Sequence, residues 1–389
     1  MRILAAPDKF KGSLSAREAA DAICAGFARG WPGAETLSYP MADGGEGTAE
    51  ALCAALGGCW VEFPACDALG RPITGRYALV SDATDGKLTA VLELADTAGI
   101  WRIAADERNP LISSTFGTGQ AVRHAVWESG AEKVILGLGG SATNDAGLGF
   151  AQALGWKFVD ERGWVLPAEP GELNALFTIQ RPPALWPEGR EVQVLAACDV
   201  ANPLLGQSGS TTVYGPQKGV TAQTHPVLEA GLELLAGSYH GQFGGRGDIP
   251  FAAIPGAGAA GGMGFGVLAF AEGGLVPGFD LVADVVGLDA LIAGADLIIT
   301  GEGSLDEQSL EGKTPIGVAR RARQLGKPVI GLAGRVAPEL RNGGSDAFDA
   351  LAGICEEPML LETAIANAKM LLEEKSALLA RLIRLGKTL

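Results

Sequence analysis

Both ends of this chain follow one pattern: a short apolar run, a polar glycine-bearing turn, then a helix-forming stretch. Arg2 to Pro7 (RILAAP) leads into Asp8-Lys9-Phe10-Lys11-Gly12-Ser13 and an alanine-rich segment, Ala16 to Arg29. Ser15 and Glu18 stand at the S-x-x-E spacing of a capping box, in which each side chain satisfies a backbone N–H of the first helical turn. Glu35 to Met41 predicts a second strand and Glu46 to Leu56 a second helix. Near the other end, Asp296 to Thr300 (DLIIT) predicts a strand and Lys313 to Leu325 a helix. Strands over Pro328 to Leu332 and Phe348 to Cys355 follow, then an amphipathic helix from Leu360 to Arg384. Five apolar strands separated by helices are the signature of an open parallel sheet covered on both faces. Two strands come from residues 1–56 and three from 285–389, so the chain must return to a sheet it has left.

The middle reads differently. Trp60 to Phe63, Gly75 to Val80 and Leu88 to Leu94 are strands joined by turn-rich loops, which predicts an antiparallel meander. A helix (Gln120 to Glu128), a strand (Lys133 to Leu138), a helix (Ala146 to Leu154) and a strand (Val192 to Ala197) follow, with a proline-rich connector from Pro167 to Pro187. The expected fold class is α/β: a discontinuous five-stranded parallel-sheet domain over 1–56 and 285–389, and an inserted second α/β domain of mixed sheet over 57–284. Whether residues 115–150 join the insert or extend the main sheet is open at this point.

Composition narrows the function. Forty-five acidic against thirty basic residues leave a net charge of −15, so nucleic acid is not an expected partner, because phosphate backbones are held by basic faces. The 57 glycines have no every-third-residue period, which excludes collagen, and 47% hydrophobic residues exclude a disordered chain. Six scattered cysteines without a CxxC pair and three histidines without HxxxH argue against zinc and for a reducing, cytoplasmic location. The first apolar run is too short for a signal peptide, and no stretch reaches the ~20 apolar residues that span a bilayer, so no membrane is expected.

In an open parallel sheet, ligands bind beyond the carboxyl ends of the strands, where the strand order reverses. With the order 2-1-3-4-5, the turns Asp8 to Ser13, Asp43-Gly44-Gly45-Glu46-Gly47-Thr48 and Gly301-Glu302-Gly303-Ser304-Leu305-Asp306 converge there. Their glycines let backbone N–H groups cup a phosphate, and Lys9 and Lys11 can neutralise it. Asp43, Glu46, Glu302 and Asp306 are candidates for Mg²⁺, which prefers one or two carboxylates plus phosphate oxygens. In the insert, Gly137 to Asp145 (GLGGSATND) follows a strand and opens a helix, as an anion loop does. Its candidate binders are Gly139, Gly140, Ser141, Thr143, Asn144 and Asp145. Asp199 ends another strand and is either a base or an orienting group; Asn202 and Lys218 lie just beyond it. Gly256-Ala257-Gly258-Ala259-Ala260-Gly261 matches G-x-G-x-x-G but lacks its βαβ frame: the preceding strand would be only Phe251 to Ile254, and Gly273 to Gly278 makes a poor second strand. Gly312-Lys313-Thr314 resembles the end of a P-loop but has Glu307 where glycine is required. His124 reads as a helix residue facing surface or core, and no G-x-S-x-G elbow appears.

Taken together, these loops resemble the bacterial glycerate kinase family, often called type I. The matching stretches are PDKFKGSLSA (7–16), PMADGGEGT (40–48), STFGTG (114–119), GLGGSATNDAG (137–147), CDVANPLLG (198–206), GPQKG (215–219), PGAGAAGGMGFG (255–266) and DLIITGEGSLDEQSLEGKTP (296–315). Ala146 stands where the family pattern has glycine, and Val220 where it has alanine. The resemblance implies a flavodoxin-like domain plus an inserted α/β domain, with the site in the cleft between them. It also implies ATP- and Mg²⁺-dependent phosphorylation of D-glycerate, 2-phosphoglycerate being the usual product of bacterial members. On that basis Asp8, Lys9, Gly12, Ser13, Gly301 and Gly303 are expected to bind nucleotide, with Lys11 neutralising charge and Glu302 and Asp306 holding metal. Gly44 and Gly45 belong to the same binding surface. Asp199 or Asp43 is expected to accept the hydroxyl proton, and the Gly139–Ser141 backbone, Thr143 or Lys218 to meet the glycerate carboxylate. A homo-oligomer stays open, as do two other readings: a kinase for another small sugar acid, and a nucleotide or metabolite sensor without catalysis.

Overall fold

The capping box forms. Glu18 N–H donates to Ser15 Oγ at 3.2 Å, and Ser15 N–H donates to the Glu18 carboxylate at 2.9 Å. It starts helix α1 (Ala16–Gly30) after strand β1 (Arg2–Ala5). The computed structural model describes residues 1–306, 314–341 and 347–387. β2 (Glu35–Ser38) and α2 (Thr48–Leu56) come next, then β3 (Cys59–Cys66), β4 (Pro72–Ser81) and β5 (Leu88–Glu93). They are followed by α3 (Ala95–Ala98), α4 (Phe116–Trp127), β6 (Lys133–Gly137), α5 (Leu148–Ala153), β7 (Lys157–Val159), β8 (Thr178–Gln180) and β9 (Gln193–Ala197). α6 (Ser210–Tyr214), α7 (His225–Phe243), α8 (Ala259–Phe270), β10 (Gly274–Val276), α9 (Gly278–Val285) and α10 (Leu288–Ala293) lead back. The chain ends with β11 (Leu297–Leu305), α11 (Thr314–Gln324), β12 (Val329–Val336), α12 (Pro338–Arg341), β13 (Ala350–Gly353), α13 (Leu361–Ala366) and α14 (Ala368–Gly386).

One sheet has the order β13-β12-β11-β1-β2 and is parallel throughout. In chain order of its own strands this is 2-1-3-4-5, with the reversal between β1 and β11 as expected. The second sheet runs β10-β9-β6-β5-β4-β3. Its β3-β4-β5 meander is antiparallel, and β5, β6, β9 and β10 are parallel. β6 pairs with β5 and β9, so residues 133–137 belong to this mixed sheet rather than to the five-stranded one. Among the described residues, no helix is long and apolar enough to cross a membrane.

Strand alternation sorts the core into layers. Ile3 and Ala5 of β1, with Leu297 and Ile299 of β11, face α1 and α14, where Ile23, Phe27 and Leu372 are buried. Leu4 and Ile298 point the other way, into a middle layer shared with Val80, Val91 and Ile135 of the mixed sheet. Phe279 and Val282 of α9 and Ile316 of α11 fill that layer, as do Ala49 and Leu52 of α2. Although α2 leaves the five-stranded sheet in sequence, its apolar stripe is buried in part against β4 and β5 of the other. The remaining face of the mixed sheet carries Tyr77, Leu92 and Leu136 against Phe150 and Phe270. His124 is half-buried at the edge of that core, its Nδ1 2.9 Å from the Tyr77 hydroxyl and its ring stacked on Phe63.

Several elements differ from expectation. β11 does not stop at Thr300: its pairing with β12, which runs to Val336, carries Gly301 to Leu305 into the sheet. Gly273 to Gly278 does yield a strand, β10, a short parallel addition to β9, whereas Phe251–Ala253 is a 3-10 turn. The helix expected from Ala146 starts at Leu148, because Ala146 (φ 49) and Gly147 (φ 74) are both left-handed. The C-terminal helix is two, divided at Asn367. Glu307 and Gly312-Lys313, on which the P-loop argument turns, lie outside the described residues, as does the expected start of α11 at Lys313.

α1 and α14 approach closely because Gly26 and Gly30 have no side chain. A Cβ on Gly26 would overlap the Glu373 carbonyl and lie 2.6 Å from Ser376 Cβ. Overpacking of this kind costs ~1–3 kcal/mol. Gly26→Ala is therefore expected to lower the unfolding free energy by that amount, read as a lower urea midpoint at unchanged m-value, and an unchanged midpoint would show that the two helices can separate freely.

Candidate active site

The carboxyl ends of both sheets open into one cleft, and the turn after β2 lies between them. Beyond β1, Asp8 N–H donates to Gly301 O at 2.9 Å, so the first turn is fixed against β11. The Asp8 side chain is buried and accepts from Lys9 N–H at 2.7 Å. Burial first, and then the negative charge of Asp43, push its pKa up to about 6. Ser13 Oγ donates to Phe10 O at 2.9 Å and Gly12 takes φ 79, which closes a tight turn that leaves Lys9 and Lys11 facing the cleft. The Lys9 ammonium donates to the Glu46 carbonyl.

The Asp43–Gly47 turn rests on the mixed sheet. Gly44 has φ 83, and a Cβ there would overlap Ala197 Cβ at the end of β9 and lie 2.8 Å from Gly278 Cα. Only glycine satisfies both the conformation and the contact. Asp43 Oδ1 accepts from Gly45 N–H at 3.1 Å. At the end of β5, one oxygen of Glu93 accepts from Gly47 N–H and Ala49 N–H, both at 3.0 Å. Burial raises the Glu93 pKa above the usual carboxylate value.

Three adjoining cavities share these walls. One of about 630 Å³ holds Asp8, Lys9, Lys11 and Ser13 on one side and Glu302, Gly303 and Asp306 on another, with Asp43, Gly45 and Glu46 between them. Ile354, Leu361 and Ile365 give it an apolar end. A smaller one of about 360 Å³ is bounded by Asp43–Gly45, Gly139–Ser141, Asp199, Tyr214 and Lys218. The third, about 750 Å³, joins Lys9, Lys11 and Gly12 to Gly139 and Gly140, with Trp60, Glu93 and Trp101 opposite.

Two groups in the small cavity are held in unusual states. Lys218 is buried and donates to Ser141 Oγ at 2.7 Å and Thr143 O at 2.8 Å. Desolvation pushes its pKa down to about 7, opposed by the charge of Asp145. Asp199 accepts from Gly278 N–H at 2.8 Å, and its pKa is raised by burial and then by Asp43 and Asp280. A carboxylate moved toward neutrality is a better proton acceptor at working pH.

Five expected residues do not line the cleft cavities. Asp145 is fully buried and ties Thr115 N–H and Oγ1 (2.8 Å each) to Gly147 and Gly149 N–H (3.2 Å each), so it braces the glycine turn from behind. Asn144 donates to Thr211 Oγ1 at 3.0 Å, and Thr143 is buried with its carbonyl on Lys218. Asn202 donates to Ser208 O and accepts from the Tyr214 hydroxyl, both at 2.7 Å. Gly301 packs against the Leu332 backbone inside the sheet. Conversely, Glu93, Tyr214 and the two tryptophans escaped the sequence reading. Glu93 alone had a signal, since it is the last residue of a parallel strand, where ligand-facing groups are expected. Among the described residues, no group of three or more His, Cys, Asp or Glu is arranged to hold a metal ion.

With this geometry in place, comparison with known proteins is direct. The model of the glycerate kinase family matches residues 3–384. A Bacillus subtilis protein named glycerate kinase is 40% identical over 389 residues, covering 100% of this chain and 99% of its own. An Escherichia coli K12 protein named glycerate 2-kinase is 39% identical over 376 residues, 95% of this chain and 94% of its own. The crystal structure of a "putative glycerate kinase 2" from Salmonella typhimurium LT2 superimposes with a TM-score of 0.87 at 37% identity, covering 100% of both chains. The chain belongs to the glycerate kinase family.

Proposed function

We propose that this enzyme transfers the terminal phosphoryl group of ATP to D-glycerate, giving 2-phosphoglycerate, in the cleft between the two sheets. The observation that carries the reading is that Asp43 and Gly45 border both the lysine-lined cavity and the small Lys218 cavity. A polyphosphate in the first and a three-carbon acid in the second would meet at one carboxylate. Lys9 and Lys11 neutralise the phosphates, and the glycine turns bring backbone N–H groups close to them. Lys218 supports the carboxylate side through Ser141, or meets the carboxylate itself. Asp199 or Asp43 accepts the hydroxyl proton as the new O–P bond forms and ADP leaves.

The lysine-lined cavity suits magnesium, which needs only one or two carboxylates beside phosphate oxygens: Glu302 and Asp306 line it and would hold the ion, with Asp43 on the same wall. Bound there, Mg²⁺ would offset negative charge on the transferring phosphoryl group. We take residues 1–56 with 285–389 and residues 57–284 as two units that close across the cleft to exclude water. A reducing cytoplasmic setting suits the six cysteines, all free thiols. The 2-phosphate product is supported by the name of the Escherichia coli relative.

NMR of the product after incubation with MgATP and D-glycerate tests the reading directly: a phosphate on C2 is expected, and no ADP release above the glycerate-free control would overturn it. Alanine at the true base should lower kcat by ~10²–10⁴-fold with a smaller change in KM; if neither Asp199→Ala nor Asp43→Ala lowers kcat more than about tenfold, the base lies elsewhere. Asp8 gives a pH signature. Its folded-state pKa, about 6 against 3.8, means that the folded state binds more protons between those values, so stability falls as pH rises through them. Asp8→Asn is expected to gain on the order of 1–3 kcal/mol of stability over the parent at about pH 7.5 and nothing at about pH 4, read by urea unfolding.

A further inference from the structure

Helix α2 begins without a cap of its own. Gly47 occupies the N-cap position in a left-handed conformation (φ 90), and no side chain there accepts the first free N–H groups. Such donors need a partner when they are withdrawn from water. The partner comes from the other sheet, where Glu93 at the end of β5 takes both Gly47 N–H and Ala49 N–H on one oxygen. A carboxylate in that position also opposes the positive end of the helix.

The cap reaches back into the turn. Thr48 Oγ1 donates to Gly45 O at 2.7 Å, and Gly45 N–H donates to Asp43 Oδ1 at 3.1 Å, so an unbroken chain of hydrogen bonds and backbone runs from Glu93 to Asp43. From the opposite side, Lys9 holds the Glu46 carbonyl. The turn is thus clamped between the loop after β1 and the end of β5, and the second clamp is the one that sequence-local contacts cannot supply.

We propose that Glu93 is a positioning residue for the reaction: by capping α2 from the mixed sheet it fixes the turn that presents Asp43 and Glu46 to the cleft. The catalytic part of this inference rests on the proposed kinase reading; the structural part does not. Misplacing a reacting group by about 1 Å costs ~10²-fold in rate.

The test compares Glu93→Ala with Glu93→Gln in the full chain, since glutamine keeps an oxygen acceptor without the charge. Glu93→Ala is expected to cut kcat for glycerate phosphorylation by ~10²-fold, with both KM values changed by less than about threefold. Glu93→Gln should recover most of the loss. Amide hydrogen exchange at Gly47 and Ala49 should lose protection in the alanine variant and keep it in the glutamine variant, whatever the substrate is. Unchanged kcat in a folded Glu93→Ala variant would overturn the proposal. So would a glutamine variant as slow as alanine with both amides still protected, because Glu93 would then act through its charge on the substrate. If the alanine variant does not fold, fast exchange at these two amides in the unaltered enzyme overturns it equally.

Discussion

The backbone of Asp43 and Gly44 lies directly on Gly278 and Ala197, and the rest of the cleft is arranged around that contact. A Cβ at either glycine would overlap neighbouring atoms, so the approach depends on two residues that lack one. It brings the turn after β2 across to the ends of β9 and α9, beside Asp199. From there Asp43 faces two cavities at once, the lysine-lined one and the small one. Glycine loses more backbone freedom on folding than any other residue. Here it is spent where the backbones of the two halves meet.

The same closeness explains the perturbed charges. Asp8 and Asp199 are both withdrawn from water, and both feel the negative charge of Asp43. Each is therefore shifted toward its neutral form, and the cost of its buried charge would be relieved by a bound cation or by a proton taken from substrate. Lys218 is shifted in the complementary direction beneath the Gly139–Ser141 turn. Buried groups whose affinities for protons are moved toward neutral pH gather at catalytic sites more often than elsewhere, and in this molecule Asp199 and Lys218 line the small cavity while Asp8 lines the lysine-lined one beside it.

The parallel sheet was legible because buried strands and the following turns leave a strong apolar-then-polar pattern, and the reversal between β1 and β11 follows from the order of those strands. The extension of β11 to Leu305 was not, because Gly301-Glu302-Gly303 has the composition of a loop and becomes strand only by pairing with the similarly extended β12. The placement of α2 against the mixed sheet is a tertiary fact that no local pattern encodes. Asp145 shows a different limit. An Asx residue between a strand and a helix has the same sequence signature whether it touches a ligand or braces the turn from behind, and only its four hydrogen bonds to Thr115, Gly147 and Gly149 decide for bracing. Ala146 is the one departure with a visible backbone consequence: it holds φ 49, a conformation that glycine would adopt without strain.

The apolar layer between the sheets has a consequence for how the molecule comes apart. Leu4 and Ile298 from one sheet and Val91 and Ile135 from the other are buried in the same stratum, with α2, α9 and α11 wedged among them. Peeling either sheet away would expose the inner face of its neighbour to water, an expense that favours joint melting over stepwise loss of one half. The stratum also limits relative movement: packed helices can slide by small increments, but a wide swing would open a dry interior. The architecture therefore favours a shallow tilting of two rims over a gaping jaw.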